Sequence, residues 1–237
     1  IGPKPEWGRS DGGEAGMHPS NIHDNAYAFG TIDFTGDMPV ILGPDGPSLG
    51  GFVCPATVIS ADLWKIGQLA AGDTIRFIAV TTESAVSELR LGQEEVNNLR
   101  AFAGETVTVA DYTASVESVA LHGLEVKLRC SGDSWVLVEF GEMVLDIELR
   151  FLAHRLMLSL DQEKIAGVLE LTPGIRSLQV HFDPLRIAQG SLFKHLKKLI
   201  QQLADHQETK VPSRIIRLPL SWDDSQCKLA IEKYDQI

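Results

Sequence analysis

The feature that most constrains the fold is a strict alternation of apolar and polar residues in the second half of the chain. In LEVKLRC, residues 124–130, every second side chain is apolar or a cysteine, and the side chains between them are charged. A period of two places one set on the buried face of a sheet and the other on the opposite face. The turn SGDS then leads into the apolar run WVLVEF, which predicts a β-hairpin.

Two leucine stripes with helical spacing follow the hairpin. Their members lie three or four residues apart, as on one face of an amphipathic helix: Leu145, Leu149, Leu152, Leu156 and Leu160, then Leu192, Leu196, Leu199 and Leu203. Between the stripes we predict strands at 167–171 and 176–182, and after them a last strand at 214–220. The order ββαββαβ predicts an α+β sandwich over residues 124–237, with two helices on one face of an antiparallel sheet.

The first 82 residues have a different pattern. Short β-type runs at 26–34, 38–42, 52–59 and 73–80 are separated by glycine-rich turns. Ser60 is a candidate cap for a short helix at 61–69. We therefore predict a β-rich unit, part of a barrel or sandwich, over residues 1–82. Residues 83–123, small and polar apart from one helix-like stretch, are predicted to be a linker with a helix.

Composition narrows the classes of partner. The formal net charge of -11 disfavours nucleic acid and anionic membrane surfaces, which both reward clustered positive charge. No apolar run approaches the roughly 18–20 residues that cross a bilayer. The three cysteines are widely spaced, which indicates neither a disulfide framework nor a metal site, so we expect a cytoplasmic protein without a metal.

Polar side chains are unusually dense in GGEAGMHPSNIHDNAYAFG, residues 12–30. His18, Ser20, His23 and Asp24 are the residue types of a nucleophilic triad, although such close neighbours rarely converge. His18, His23 and Asp24 are also possible zinc ligands, at a spacing that matches no familiar pattern. The third interpretation is a turn whose Ser20, Asn21 and Asp24 side chains bond their own backbone and form a rigid wall of a polar pocket.

Two further loops are candidates. LGPDGPSLGGF, residues 42–52, contains four glycines and two prolines, so its amides can cradle an anion, but it lacks the lysine and spacing of a P-loop. In TPGIRS, residues 172–177, Arg176 either faces solvent or clamps a carboxylate with two hydrogen bonds.

Long blocks of the chain, in order, resemble urea carboxylase, the biotin-dependent component of urea amidolyase. They include PKPEWGRSDGGEAGMHPSNIHDNAYAFGTIDFTGD, GPDGPSLGGFVCPATVISADLWKIGQLAAGDTIRF, VLVEFGEMVLDIELRF, LTPGIRSLQVHFDPLRI and SRIIRLPLSWDD. The resemblance falls in the carboxyltransferase region. It implies a cyclophilin-like portion at residues 1–82 and the α+β start of a second half at 124–237. Both halves are similar to the paired subunits of bacterial 5-oxoprolinase, also described as a kinase inhibitor and its antagonist.

The resemblance implies transfer of a carboxyl group from carboxybiotin to urea, which gives allophanate. Biotin would be carried on another domain, and ATP and Mg²⁺ would be needed only in the biotin carboxylase domain of the parent enzyme. No lysine lies beside a methionine, so biotin is not expected to be attached to this chain. The family continues into a second barrel that would complete the site. We therefore expect the chain to be part of a longer protein and to be inactive alone.

Residue types suited to this chemistry occur in the two polar loops. The resemblance implies catalytic roles for His18, Asn21 and Asp24. It implies substrate-binding roles for other residues of the same loops, namely Ser20, Asp45, Ser48, Gly50 and Gly51. Two alternatives remain open: a carboxylase of the same type that acts on guanidine, and a non-catalytic interaction module like the kinase inhibitor.

Overall fold

The computed structural model describes residues 4–101, 116–203, 213–221 and 223–234. The chain divides into two compact units, Ile1–His206 and Gln207–Ile237. All the strands found in these described ranges belong to the first unit. They are β1 Asn21–Ala26, β2 Thr31–Thr35, β3 Met38–Ile41, β4 Leu49–Phe52, β5 Ala56–Thr57, β6 Val116–Leu121, β7 Leu124–Cys130, β8 Trp135–Phe140, β9 Val168–Pro173 and β10 Ser177–Phe182.

The described part of the first unit also contains four α-helices, and that of the second unit contains one. The helices are α1 Leu63–Ile66, α2 Thr82–Asn97, α3 Ile147–Glu163 and α4 Gln189–Gln202, and in the second unit α5 Ser225–Tyr234. Both α2 and α3 begin with a side-chain cap. The Thr81 hydroxyl accepts a hydrogen bond from the Ser84 amide, and the Asp146 carboxylate accepts one from the Glu148 amide.

Residues 116–203 form a five-stranded antiparallel sheet covered by α3 and α4, in the strand order β6-β7-β8-β10-β9. We call this region the sandwich. Its core is a single cluster between sheet and helices; β8 contributes Val136, Val138 and Phe140, and α4 contributes Leu192 and Leu196. The predicted hairpin and both amphipathic helices are present, and the α+β class is confirmed.

The outer face of the same sheet, away from the helices, is not open to solvent throughout. Trp135 on β8 and His181 on β10 stack with ring centroids 3.9 Å apart, and Phe29 packs edge-on against Trp135. The chain around β1 therefore covers part of this face. Gln179 lies on it in the middle of β10 and is 1% exposed.

Residues 4–82, which we call the N-terminal region, form two small antiparallel sheets, β1-β4 and β3-β2-β5. The predicted strand at 26–34 is two strands, because Gly30 turns the chain between β1 and β2 at a φ of +78°, where a side chain would overlap Leu63. The predicted strand at 52–59 is likewise divided between the end of β4 and β5.

Two predicted strands are absent from the described residues, at 73–80 and at 214–220. Both segments are apolar, and large side chains such as Phe77 and Leu218 are exposed. Neither segment pairs with another described strand, and an apolar run forms a strand only where a neighbour takes up its backbone hydrogen bonds. The strand β6, in contrast, falls in the segment 83–123 that was predicted to be a linker; the domain boundaries themselves stay a prediction.

Candidate active site

The turn before β1 is held together by His18 and Ser20. The His18 Nδ1 atom lies 2.9 Å from the Ser20 hydroxyl, which also accepts a hydrogen bond from the Gly36 amide at 3.2 Å. Ser20 is 0% exposed. A fully buried hydroxyl with these two partners ties the turn to the β2–β3 hairpin and is not accessible as a nucleophile, so the triad interpretation finds no support here.

Asn21, at the start of β1, packs against the glycine turn that precedes it. Its side chain lies so close to Gly12 and Gly16 that a β-carbon on Gly12 would come within 2.8 Å of the Asn21 β-carbon. Arg9 donates a hydrogen bond to the Asn21 carbonyl oxygen. The backbone of this turn is therefore fixed by close contacts, as expected for a rigid loop.

The second predicted loop is brought beside the first by the pairing of β1 with β4, in which Asn25 lies opposite Gly50. Gly50 faces Tyr27, and any side chain there would overlap the Tyr27 ring. The Tyr27 hydroxyl accepts a hydrogen bond from the Phe52 amide at 3.0 Å, and burial raises the pKa of Tyr27 to about 12. Gly51 lies against the Ile22 carbonyl oxygen, whereas Asp45 and Ser48 are exposed.

A cleft of about 870 Å³ separates the N-terminal region from one edge of the outer face of the sandwich. Its apolar wall comes from both sides and includes Ile32, Val58, Phe77, Ile78, Leu137 and Met143. Of the predicted site residues, Asp24 lines this cleft. Cleft residues also include Cys54, whose pKa burial raises to about 12, so that the thiol stays protonated at neutral pH.

Asp24 connects the two sides of the cleft. Its Oδ2 atom accepts a hydrogen bond from the Ile175 amide at 2.9 Å, in the turn between β9 and β10. Gly174 in that turn has no room for a side chain, because a β-carbon would lie 2.7 Å from the same Asp24 oxygen. One oxygen of Asp24 is thus engaged in holding the turn that carries Arg176.

Three charged side chains of the sandwich line the cleft next to this turn. Glu139 accepts hydrogen bonds from Arg129 Nε and, at 2.8 Å, from Arg176 Nη2; Arg176 Nη1 donates to the Gly141 carbonyl oxygen at 3.2 Å. The side chains of Arg176 and Glu139 are 11% and 14% exposed. The solvent-facing interpretation of Arg176 is therefore wrong, whereas its role as a clamp with two hydrogen bonds to one carboxylate stays a prediction.

Arg129 and Glu139 were not singled out as site residues. The alternation in LEVKLRC did place Arg129 on the face opposite the core. Its contact with Glu139, however, depends on the register between β7 and β8, in which Arg129 lies opposite Leu137. A second unpredicted contact joins the two regions elsewhere, at another residue of the cleft wall. There Asp133, 2% exposed, accepts hydrogen bonds from the Ser60 amide and hydroxyl, both at 2.9 Å. Ser60 thus bonds Asp133 and makes no side-chain cap for the helix after it.

Residues 4–101, 116–203, 213–221 and 223–234 contain no cluster of three or more histidine, cysteine, aspartate or glutamate side chains arranged to hold a metal ion. Of the candidate zinc ligands, His23 instead lies 3.8 Å from a Glu14 carboxylate oxygen. No helix in the same described ranges is long and apolar enough to cross a membrane.

Residues 8–79 match the family model described as carboxyltransferase domain, subdomain A and B, and residues 126–232 match the model for subdomain C and D. Over its whole length the chain is 38% identical to urea amidolyase of Saccharomyces cerevisiae and 37% identical to urea amidolyase of Lachancea kluyveri. It spans 13% of the length of each. The chain is also 31% identical to one of the 5-oxoprolinase subunits of Haemophilus influenzae, over 37% of the chain and 28% of that protein.

Two solved structures share the fold. Urea amidolyase of K. lactis matches 99% of this chain and 15% of its own, with 37% identity and a TM-score of 0.85. Kluyveromyces lactis urea carboxylase matches 86% of this chain and 19% of its own, with 38% identity and a TM-score of 0.80. The chain therefore belongs to the carboxyltransferase family, and it corresponds to part of the carboxyltransferase region of urea amidolyase and urea carboxylase.

Proposed function

We propose that this chain is part of the site at which a biotin-dependent urea carboxylase transfers a carboxyl group to urea. The observation that carries the proposal is that both matched carboxyltransferase segments contribute walls to one cleft, in a chain similar to urea amidolyases from end to end. Biotin, held on a carrier domain elsewhere in the enzyme, brings the carboxyl group, and ATP and Mg²⁺ act in the biotin carboxylase domain that loads it. These domains are the proposed partners, and the three free cysteines suit the proposed cytoplasmic location.

The transfer is a balanced exchange of one C–N bond for another. The bond between the carboxyl carbon and the ureido nitrogen of biotin breaks, a bond to a urea nitrogen forms, and one proton passes from that urea nitrogen to biotin. The product is allophanate. Because urea nitrogens are weak nucleophiles, the protein has to hold urea beside the carboxyl carbon and keep water out.

The described residues of the cleft fit this requirement. A volume of about 870 Å³ lies in the range of small-molecule and cofactor sites and accommodates a fused ring system with a small planar amide. The apolar wall suits the ring system. Polar groups at the cleft, among them Asp24, Asn25 and Thr57, are of the kinds that accept from or donate to urea.

The test uses the complete parent enzyme with ATP and bicarbonate, to which urea or guanidine is added while ADP release is measured. Urea should stimulate ADP release, because each transfer regenerates biotin for another ATP-dependent loading. Stimulation by guanidine alone would show that guanidine, and not urea, is the substrate. Stimulation by neither would make the carboxylase proposal wrong and would favour an interaction module. The isolated 237-residue chain is expected to show no turnover, because the biotin that brings the carboxyl group is carried and loaded by other domains.

The predicted catalytic residues are tested in the same parent enzyme with Asn21→Ala and Asp24→Ala. Both variants should lose urea-dependent ADP release and still carboxylate biotin, because Asn21→Ala loosens the glycine turn before β1 and Asp24→Ala releases the Ile175 amide. Asn97→Ala and Asp161→Ala, on α2 and α3, are the matched controls. If Asn21→Ala and Asp24→Ala turn over like these controls, neither residue belongs to the site.

A further inference from the structure

Two arginines share one glutamate beside the cleft. Arg129 and Arg176 both bond one carboxylate, that of Glu139, and the neighbouring carboxylate of the cleft wall, Asp24, has one oxygen engaged by the Ile175 amide. Arg176 and Glu139 are largely shielded from solvent, and a cation in such a position is costly to leave without a full complement of anions. A purely structural brace needs only one arginine for one glutamate.

Within the described part of the chain, Arg176 uses only part of its capacity to donate hydrogen bonds. Its bonds to Glu139 and to the Gly141 carbonyl oxygen take one N–H each, from a guanidinium that has five. Both bonds fix the plane of the guanidinium, which is the arrangement that recognises a planar carboxylate through paired hydrogen bonds. The remaining N–H groups and this fixed plane occur on the same side chain, in the wall of the cleft.

We infer that Arg176, supported by Arg129, binds the carboxylate that is transferred. This inference rests on the proposed function, and it assigns the negative group of the reaction to a site. The carboxyl group is an anion both on biotin and in allophanate, so one arginine can hold it while its C–N bond is exchanged. Bound there, the carboxylate accepts hydrogen bonds from N–H groups of Arg176 that Glu139 and Gly141 do not use.

Asp24 and Glu139 act through Arg176 and are positioning residues. Asp24 holds the amide of Ile175, the residue next to Arg176, and so sets where the side chain leaves the turn. Glu139 holds the guanidinium itself. This explains why an acidic residue, Asp24, lies in the wall of a cleft that accepts an anion: one of its oxygens is directed at the protein backbone.

The experiment measures transfer in a single turnover of the parent enzyme. Biotin is loaded with labelled bicarbonate and ATP, excess ATP is removed, and the transfer of label to added urea is followed at several urea concentrations. Arg176→Lys keeps the charge and loses the paired hydrogen bonds. The maximum transfer rate should fall by about 10-fold to 100-fold, the effect of a charged hydrogen bond lost from the reacting group. The urea concentration at half-maximal rate should change by less than about twofold.

Arg186→Lys is the matched control, because Arg186 pairs with Asp183 on the surface and lies outside the cleft. In this variant, the loading of biotin and the transfer of label to urea should proceed as in the wild type. Arg129→Lys is the second variant, in case Arg176→Lys does not fold; its side chain is more exposed, and it should slow transfer in the same way by a smaller factor.

Each outcome decides one of the two claims. If wild-type enzyme transfers label to neither urea nor guanidine, the proposed function is wrong. If the wild type transfers label and both arginine variants match it, the function stands and Arg176 does not bind the carboxylate. A variant whose maximum rate is unchanged but which needs more urea would place Arg176 at urea and overturn the inference.

Discussion

The N-terminal region and the sandwich are stabilised in different ways. The sandwich has one continuous apolar core between sheet and helices. The N-terminal region has few buried apolar side chains, among them Ile22, Tyr27 and Ile32, and depends on individual polar contacts such as those of the buried Ser20. The cleft therefore has one wall that rests on a conventional apolar core and a second wall that is held by a set of specific polar contacts.

The largest effect is expected in the core of the sandwich. Phe140 is 0% exposed, so Phe140→Ala leaves a cavity and should lower the free energy of unfolding by about 3–5 kcal/mol. Thermal and guanidinium chloride unfolding of the chain, followed by circular dichroism, measure the loss. Phe151→Ala on α3, where the side chain is 41% exposed, is the control and should cost much less. Equal losses would contradict the single-core description.

An intermediate effect is expected from Gly50 in the N-terminal region. Gly50→Ala forces the Tyr27 ring away from the backbone and disturbs its bond to the Phe52 amide, which should cost about 1–3 kcal/mol. Gly8→Ala is the control, because nothing lies within 4 Å of a side chain there. The same denaturation experiments apply. If both variants unfold alike, Gly50 is not required for packing, and its predicted role in substrate binding becomes the reason for a glycine.

The smallest effect is a pH dependence where the two regions meet, at His181. Burial keeps the pKa of His181 below its usual value, so below about pH 6.5 the unfolded chain takes up a proton that the folded chain resists. The contribution of His181 to the free energy of unfolding is therefore complete above about pH 6.5, and it is lost as the pH falls towards the lower pKa of His181 in the folded chain. His181→Phe keeps an aromatic ring against Trp135 and should lose less thermal stability between about pH 8 and about pH 5 than the wild type.

The control for this pH effect is His195→Phe, exposed on α4, which leaves His181 in place. It should show the pH dependence of the wild type. A wild type and a His181→Phe variant that lose stability in parallel would show that protonation of His181 does not oppose folding.

The same difference between regions explains what the sequence could predict. The hairpin at 124–140 and helices α3 and α4 follow from periodicity, because each has a face that packs on one core. Periodicity failed for 73–80, whose apolar residues have no described strand to pair with. It also missed the division of 26–34 by Gly30, since that glycine interrupts an otherwise suitable strand pattern.

For the site, the density of polar side chains in the sequence drew attention to the loop of Asp24, and the turn sequence TPGIRS drew attention to Arg176. The sequence could not predict that Asp24 bonds the turn next to Arg176, or that Glu139 joins two arginines. Both contacts depend on the tertiary arrangement of the sheet. The roles predicted for the site residues stay predictions: His18, Ser20, Asn21, Asp24, Asp45, Ser48, Gly50 and Gly51.

The bond from Asp24 to the Ile175 amide joins residues 151 positions apart in the chain. Closing so long a loop carries an entropic cost that local contacts do not, and pairings of this kind form slowly. During synthesis, Asp24 emerges from the ribosome long before its partner in the turn exists. We therefore expect the sandwich to fold as a unit and the cleft to be completed afterwards, when the β9–β10 turn docks against β1.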